Sequence, residues 1–268
     1  MFNRRHKSLP EQSVVLLTGA ANGIGRATAK RLGGEGFKLG LIDRDRDSLR
    51  LLAKELLGGS VLFHTEVGDV CDGSSISLAV EAIEQKLGPV KIVVACAGVG
   101  GLSSVLDLDL DGLRRMLEVN VYGVARTIEA VLPGMFARGS GHIVGISSVA
   151  GYRGLPWMPG YSASKAALTT YLEGLRPALK RRGVTVTTIF PGFVRTGMTV
   201  DTPFRRPIPM LSTEQAAAYI VRAVIKRPRD YCFPFSARIG MGLLRRLPNP
   251  LFDYCMDQAG PRALTTEF

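Results

Sequence analysis

Short apolar runs alternate with amphipathic stretches along this chain. Ser13–Thr18 reads as a strand, and a helix follows over about Gly23–Glu35. The same alternation continues with strands at Phe37–Ile42, Val61–Thr65, Val90–Ala95, His142–Ile146, Val184–Phe190 and Tyr231–Phe233. The intervening helices are expected over Asp47–Leu57, Ser74–Leu87, Leu110–Arg138, Tyr161–Arg182 and Glu214–Lys226. The strand segments, such as Val-Val-Leu-Leu and Ile-Val-Val-Ala, are nearly continuous in apolar residues rather than alternating. That pattern marks parallel strands covered on both faces. Strand–helix alternation of this kind predicts an α/β fold: a Rossmann-like, doubly wound parallel sheet of about seven strands, helices on both faces, right-handed crossovers.

Length fits this picture. A chain of 268 residues with 46% hydrophobic and 21% charged residues suits one large α/β domain with a core that needs no disulfides. Residues 1–12 form a basic arm. Residues 197–213, rich in Pro, Thr, Met and Arg, read as a substrate loop, and 237–268 as a C-terminal extension of one short amphipathic helix plus coil. The four cysteines (Cys71, Cys96, Cys232, Cys255) show no paired spacing. This argues against a disulfide framework or zinc site and fits a reducing cytoplasm. The net charge of +11 is spread thinly, so it implies a field attractive to anions rather than a nucleic-acid surface. No apolar run reaches the ~18–20 residues of a membrane span. The basic, apolar tail allows at most peripheral membrane contact, with cleft cover or subunit contact the favoured role.

The chemistry gathers in two places. The first strand runs into Thr18-Gly19-Ala20-Ala21-Asn22-Gly23-Ile24-Gly25. Glycines there permit a tight turn and close approach to a pyrophosphate, and a helix N-terminus follows to receive it. Asp43 ends the second strand, 18 residues after Gly25. A carboxylate at that place can accept hydrogen bonds from both hydroxyls of an adenosine ribose and repels a 2′-phosphate. Arg44 and Arg46 pull the other way, since an arginine could pair with a 2′-phosphate or stack on adenine. The balance predicts NAD(H) as the preferred cofactor and NADP(H) as the alternative.

The second place is Tyr161, with Lys165 one helical turn on and Ser148 thirteen residues before it. A phenol titrates near ~10, and a neighbouring ammonium can lower that by roughly 1–3 units, into the range useful for general acid–base work. Of seven tyrosines only Tyr161 has a lysine four residues on. Taken alone, Tyr-x-x-x-Lys describes many ordinary helices.

Together these residues resemble the short-chain dehydrogenase/reductase family in its single-domain form. The resemblance runs from about Gln12 to Phe233 and rests on an ordered set: Thr18-Gly-x-x-x-Gly-x-Gly25, Asp69-Val70, Ala97-Gly98, Asn120, Ser148, Tyr161-x-x-x-Lys165, and Pro191-Gly192 with Thr196. It implies that Tyr161 is the general acid in reduction and base in oxidation. Ser148 would hold the substrate oxygen. Lys165 would bind the nicotinamide ribose and lower the Tyr161 pKa, and Asn120 would position a water leading from Lys165. Gly19, Asn22, Gly23, Ile24, Gly25, Asp43, Arg44, Asp69, Val70, Ala97, Gly98, Val194 and Thr196, with Tyr161 and Lys165, would contact the cofactor. The chain departs from the family's Asn-Asn-Ala-Gly at Ala95-Cys96-Ala97-Gly98, which places a small, buried cysteine beside the expected cofactor.

The substrate of such an enzyme is a small molecule, a carbonyl or secondary alcohol that reaches Ser148. Val99, Val149, Leu155, Trp157, Met158, Phe193, Met198 and Phe204 are expected to line its cleft, with Trp157 and Met198 the named substrate contacts. Their apolar character suggests a lipophilic ketone or alcohol of the steroid, retinoid, fatty or aryl type. Arg153, Arg195, Arg205 and Arg206 leave an acidic substrate open. The resemblance also implies a homodimer or homotetramer built on the helices at 110–138 and 161–182. Other chemistries find less support. Gly145-Ile-Ser147-Ser148-Val149 lacks the last glycine of a hydrolase elbow, and His6, His64 and His142 form no metal-ligand pair. A catalytically silent nucleotide sensor on the same fold is the rival reading, though such a protein would be expected to lose Ser148, Tyr161 or Lys165. In an enoyl reductase the tyrosine-to-lysine spacing is usually longer.

Overall fold

The computed structural model describes residues 13–103, 108–199 and 210–259. Seven strands form one sheet: β1 (Val14–Thr18), β2 (Lys38–Asp43), β3 (Phe63–Val67), β4 (Val90–Ala95), β5 (Gly141–Ile146), β6 (Val184–Pro191) and β7 (Asp230–Phe233). Their order is β3-β2-β1-β4-β5-β6-β7, and every neighbouring pair is parallel. The predicted doubly wound sheet is therefore the architecture found.

Side chains of successive strand residues point to opposite faces, and β1 shows it cleanly. Val15 and Leu17 enter one buried cluster, while Val14 and Leu16 enter the other. The first cluster is covered by α1 (Gly23–Gly34), α2 (Arg46–Leu57) and α7 (Thr213–Lys226), through residues such as Leu32, Leu52 and Ile220. The second is covered by α3 (Gly73–Leu87), α5 (Gly123–Ala137) and α6 (Pro159–Arg181), through Ile83, Ile128 and Leu172. Close approach of helix to sheet needs bare backbone in two strands. A Cβ on Gly40 would lie 2.4 Å from Ile83, and one on Gly145 would lie 2.4 Å from Leu172.

Polar residues fix the helix starts. Asp45 accepts the Ser48 amide at α2, and Asp72 accepts the Ser74 and Ser75 amides at α3. Ser212 and Gln215 form a capping box at α7, which satisfies two otherwise orphaned donors. Pro159 stands in the first turn of α6, where its missing N–H costs nothing.

Three expectations are corrected. The single helix read over Leu110–Arg138 is α4 (Leu110–Leu117), a π-helical turn over Glu118–Tyr122, and then α5. The third strand begins at Phe63, where it pairs with Leu39, two residues later than expected. The tail is two helices rather than one helix and coil: α8 (Phe235–Arg246) and α9 (Asn249–Ala259). They cover a third apolar cluster in which Phe252 and Met256 meet Ala150, Leu155 and Trp157.

The strand order reverses direction between β1 and β4. In open α/β sheets ligands bind outside the strand C-termini at such a point, and the site lies there.

Candidate active site

A cavity of about 450 Å³ opens at the C-terminal ends of the central strands. Its lining includes Gly19, Asn22, Gly23, Ile24, Gly25, Asp43, Arg44, Asp69, Val70, Ala97, Gly98, Ser148, Tyr161, Lys165, Val194, Thr196 and Met198. Of the residues assigned from the sequence to catalysis, cofactor or direct substrate contact, all but Asn120 and Trp157 belong to that lining.

One end of the cavity is the glycine turn. Gly19 has φ +68°, and a Cβ there would stand 2.6 Å from the Ala97 Cα. On Gly25 a Cβ would stand 1.9 Å from the Gly19 carbonyl oxygen. The turn thus exists only because both positions are bare, and it brings the N-terminus of α1 to the cavity wall. That helix has no acidic residue in its first turn and no side-chain cap, so its amides and positive dipole end are free to face an anion. A dinucleotide fits this cradle, since any side chain at Gly19 or Gly25 would collide with backbone.

Asp43 closes β2 beside the turn. Its carboxylate accepts the Ala21 amide at 2.8 Å and the Asp45 amide at 3.0 Å. These bonds hold the carboxylate in one orientation, and each oxygen retains further acceptor capacity. Arg44 leans on Asp69 at 3.9 Å and is well exposed. Asp69 also accepts the Cys71 amide, which shapes the turn that presents Val70.

The other end carries Ser148, Tyr161 and Lys165. Ser148 leaves β5, and its hydroxyl accepts the Ala150 amide at 3.1 Å. Tyr161 and Lys165 share one face of α6, with the ammonium 5.7 Å from the centre of the phenol ring. Lys165 is 4% exposed, and Nζ donates to the Ile146 carbonyl at 2.9 Å. Among the described residues it makes no ion pair. A buried ammonium with one partner is costly, and burial lowers its pKa from 10.5 to about 8. The neighbouring Cys96 thiol is pushed up to about 12 by the same burial, so it is held as a neutral, unreactive group.

Tyr161 differs from expectation. Burial raises its pKa, and a hydrogen bond with Ser148 opposes that rise as the smaller influence. The four-residue spacing predicts that Lys165 lowers the phenol toward the neutral range. In the structure burial is the dominant influence, because removing water penalises the phenolate directly.

Asn120 sits in the π turn, fully buried. Its side chain accepts the Val99 amide at 2.9 Å and donates to the Val99 carbonyl and to Ser164 Oγ, each also at 2.9 Å. Ser164 Oγ in turn donates to the Tyr161 carbonyl. Asn120 therefore ties the loop after β4 to the helix that carries Tyr161. A Cβ built on Gly98 lies 3.2 Å from Asn120 Oδ1 and 3.5 Å from Lys165 Nζ, so Asn120 stands behind the cavity wall rather than in it. Single-turn π segments recur at functional sites.

Of the expected apolar lining, Val99, Val149, Met158, Phe193 and Met198 face the cavity. Trp157 and Leu155 turn away and are buried against α9; Phe204, Arg205 and Arg206 lie outside the described residues. Gly100, Gly101 and Leu102 line the cavity as well and were missed. The Gly98-Val-Gly-Gly run that carries them was the available signal, and Met198 Sδ packs where a Gly100 side chain would be.

Comparison with known proteins agrees with this geometry. The sequence profile described as short chain dehydrogenase matches residues 13–205. The chain belongs to that family. An uncharacterized oxidoreductase of Myxococcus xanthus is 36% identical over 238 residues, which cover 89% of this chain and 94% of the relative. A Burkholderia phymatum short chain dehydrogenase/reductase solved in complex with NAD superimposes with a TM-score of 0.80 at 24% identity, covering 94% of this chain and 98% of the other; at that identity the likeness shows the fold. An alcohol dehydrogenase from Thermococcus sibiricus, complexed with 5-hydroxy-NADP, has a TM-score of 0.74 at 27% identity and covers 83% of this chain and 96% of its own. The structural neighbours thus bind NAD or NADP nucleotides. This short-chain dehydrogenase is an oxidoreductase by family. Among its described residues no helix is long and apolar enough to cross a membrane, and no group of histidine, cysteine or acidic side chains could hold a metal ion.

Proposed function

We propose that this short-chain dehydrogenase interconverts a carbonyl and a secondary alcohol on a lipophilic small molecule, with NAD(H) as its preferred cofactor. The supporting observation is that one cavity holds the glycine turn and Asp43 at one end and Ser148, Tyr161 and Lys165 at the other. When bound, the nicotinamide dinucleotide supplies or accepts the hydride.

The chain's own residues do the rest. Ser148 Oγ orients the substrate oxygen toward Tyr161, and Tyr161 delivers a proton to that oxygen in reduction or removes it in oxidation. Lys165, buried and with no ion pair among the described residues, has donors to spare for ribose hydroxyls. It also provides the positive charge that stabilises a developing phenolate once those hydroxyls fix it in place. Asn120 acts behind them by holding Val99 and Ser164. Asp43 supports NAD(H), because a 2′-phosphate beside it would meet a fixed carboxylate, while Arg44 is engaged by Asp69. The apolar lining by Val99, Val149, Met158, Phe193 and Met198 supports a lipophilic substrate. Exposed Tyr122 (58%) and Tyr171 (38%) on the helical layer support a homodimer or homotetramer through α5 and α6.

A matrix of both cofactors against ketones and alcohols of steroid, retinoid, fatty and aryl type tests the reading, with Tyr161→Phe as control. Turnover should appear with NAD(H) on an apolar substrate and vanish in the control. Equal or better turnover with NADP(H) would overturn the cofactor assignment. Activity confined to small polar sugars would overturn the substrate class.

A further inference from the structure

The connection between Ser148 and Tyr161 is gripped from outside by the C-terminal helices. Arg153, midway along it, donates through Nη1 to the carbonyl oxygens of Leu244 (3.1 Å) and Leu247 (2.8 Å). These are carbonyls at the C-terminal end of α8, where a helix leaves acceptors unpaired and favours a cation. Nη2 donates to Asn249 Oδ1 at 2.7 Å, at the start of α9. The guanidinium plane also lies 3.9 Å over the Phe252 ring, within the range of a cation–π contact. One side chain thus joins α8, α9 and the connection.

Beneath it the join is apolar. Ala150, Leu155 and Trp157 of the connection pack with Phe252 and Met256 of α9, and Tyr161 rests against the same cluster. The cluster against which the phenol rests is therefore completed by the C-terminal extension.

We propose that Arg153 is a positioning residue: by fastening the α8–α9 hairpin to residues 149–158, it holds Ser148 and Tyr161 in register with each other. This rests on the proton-transfer roles proposed above for those two residues. Arg153 is absent from the cavity lining, so it acts through other residues. Loss of the clamp should therefore reduce turnover and leave binding alone.

The test uses the full chain as Arg153→Met and Arg153→Lys, with Phe252→Ala releasing the join from its other side. In Arg153→Met, kcat should fall about tenfold, equivalent to ~1.4 kcal/mol of barrier, while cofactor Kd and substrate KM stay within twofold. Lysine keeps the charge but lacks the planar fork, so its kcat should fall between methionine and wild type. Hydrogen exchange should quicken at least tenfold over 149–158 and 249–256 in Arg153→Met and Phe252→Ala, with β1 and α1 unchanged. Faster exchange at 249–256 alone with wild-type kcat would make the hairpin a passive appendage and overturn the proposal. Lost turnover with unchanged exchange at 149–158 would overturn it too. Retention of turnover by Tyr161→Phe would instead refute the underlying site assignment, and the exchange data would still report on the clamp. If Arg153→Met does not fold, Arg153→Lys and Phe252→Ala carry the same comparison.

Discussion

Replacing Lys165 with methionine separates what this lysine costs the fold from what it contributes to the site. The ammonium is 4% exposed, has one hydrogen bond among the described residues, to the Ile146 carbonyl, and has a pKa lowered by burial from 10.5 to about 8. At ~1.4 kcal/mol per pH unit, keeping it protonated at neutral pH destabilises the folded state by about 3 kcal/mol. The unfolded chain holds an ordinary lysine, so between about pH 8 and 10.5 it binds more protons than the folded protein. Stability from this group therefore rises with pH across that window, and the full penalty is present below it. Methionine has similar length and no charge. It removes the penalty and gives up a hydrogen bond whose net worth is ~1 kcal/mol.

Lys165→Met without cofactor should therefore be as stable as wild type at pH 7, or more stable by up to ~2 kcal/mol. Urea denaturation from pH 7 to pH 10 gives two stability curves, and their difference should shift by about 2–3 kcal/mol in favour of wild type as pH rises. Cofactor titration of the variant should show at least a tenfold weaker Kd, and turnover should fall further still. Parallel stability curves would refute the account of a desolvated ammonium. Lost turnover with unchanged cofactor affinity would refute its hold on the ribose.

Further outcomes follow from single contacts. Gly25→Ala places a Cβ against the Gly19 carbonyl, so cofactor affinity should fall a hundredfold or more by calorimetry; a loss under threefold would mean that the turn moves freely. Asn120→Ala removes three hydrogen bonds and should cost ~2–3 kcal/mol in urea denaturation at roughly 1 kcal/mol each; a cost below ~0.5 kcal/mol would show that the π turn stands without it. His142 is buried, bonded to Thr187, and held neutral with a pKa near 3 by burial. Since its unfolded pKa is ~6.5, its contribution to stability is complete above that value and is lost as pH falls toward 3. His142→Gln should flatten the acid limb of the stability profile, and an unaltered limb would contradict the assignment.

The sheet was legible because parallel strands covered on both faces leave an unmistakable signature: Val14–Leu17 and Ile92–Ala95 are apolar at every position. The cofactor turn was legible because Gly19 and Gly25 answer to steric demands that no other residue meets. Other features depend on tertiary context. A π turn differs from an α turn only in its hydrogen-bond register, so the 118–122 segment has no distinct hydrophobic period. Helix α9 draws its stability from Trp157 and Leu155, which are far away in sequence, and its own polar residues made it read as coil. Trp157 was placed in the substrate cleft on character alone, whereas a large apolar ring serves equally well under a helix. The shift of Tyr161 was misjudged because spacing reveals the lysine neighbour and not the depth of burial.

The reversal of strand order between β1 and β4 has a consequence for how such a protein can change. Asp43 and Arg44 stand at the end of β2, on one side of the reversal, while Ser148 follows β5 and Tyr161 lies on α6, on the other. On the roles proposed above, coenzyme choice and chemistry are written in separate halves of the molecule. Revising residues 43–44 would then admit a different nucleotide and leave the reaction untouched. Asp43 also holds the Ala21 amide at 2.8 Å and the Asp45 amide at 3.0 Å. A successful exchange must find those amides new acceptors.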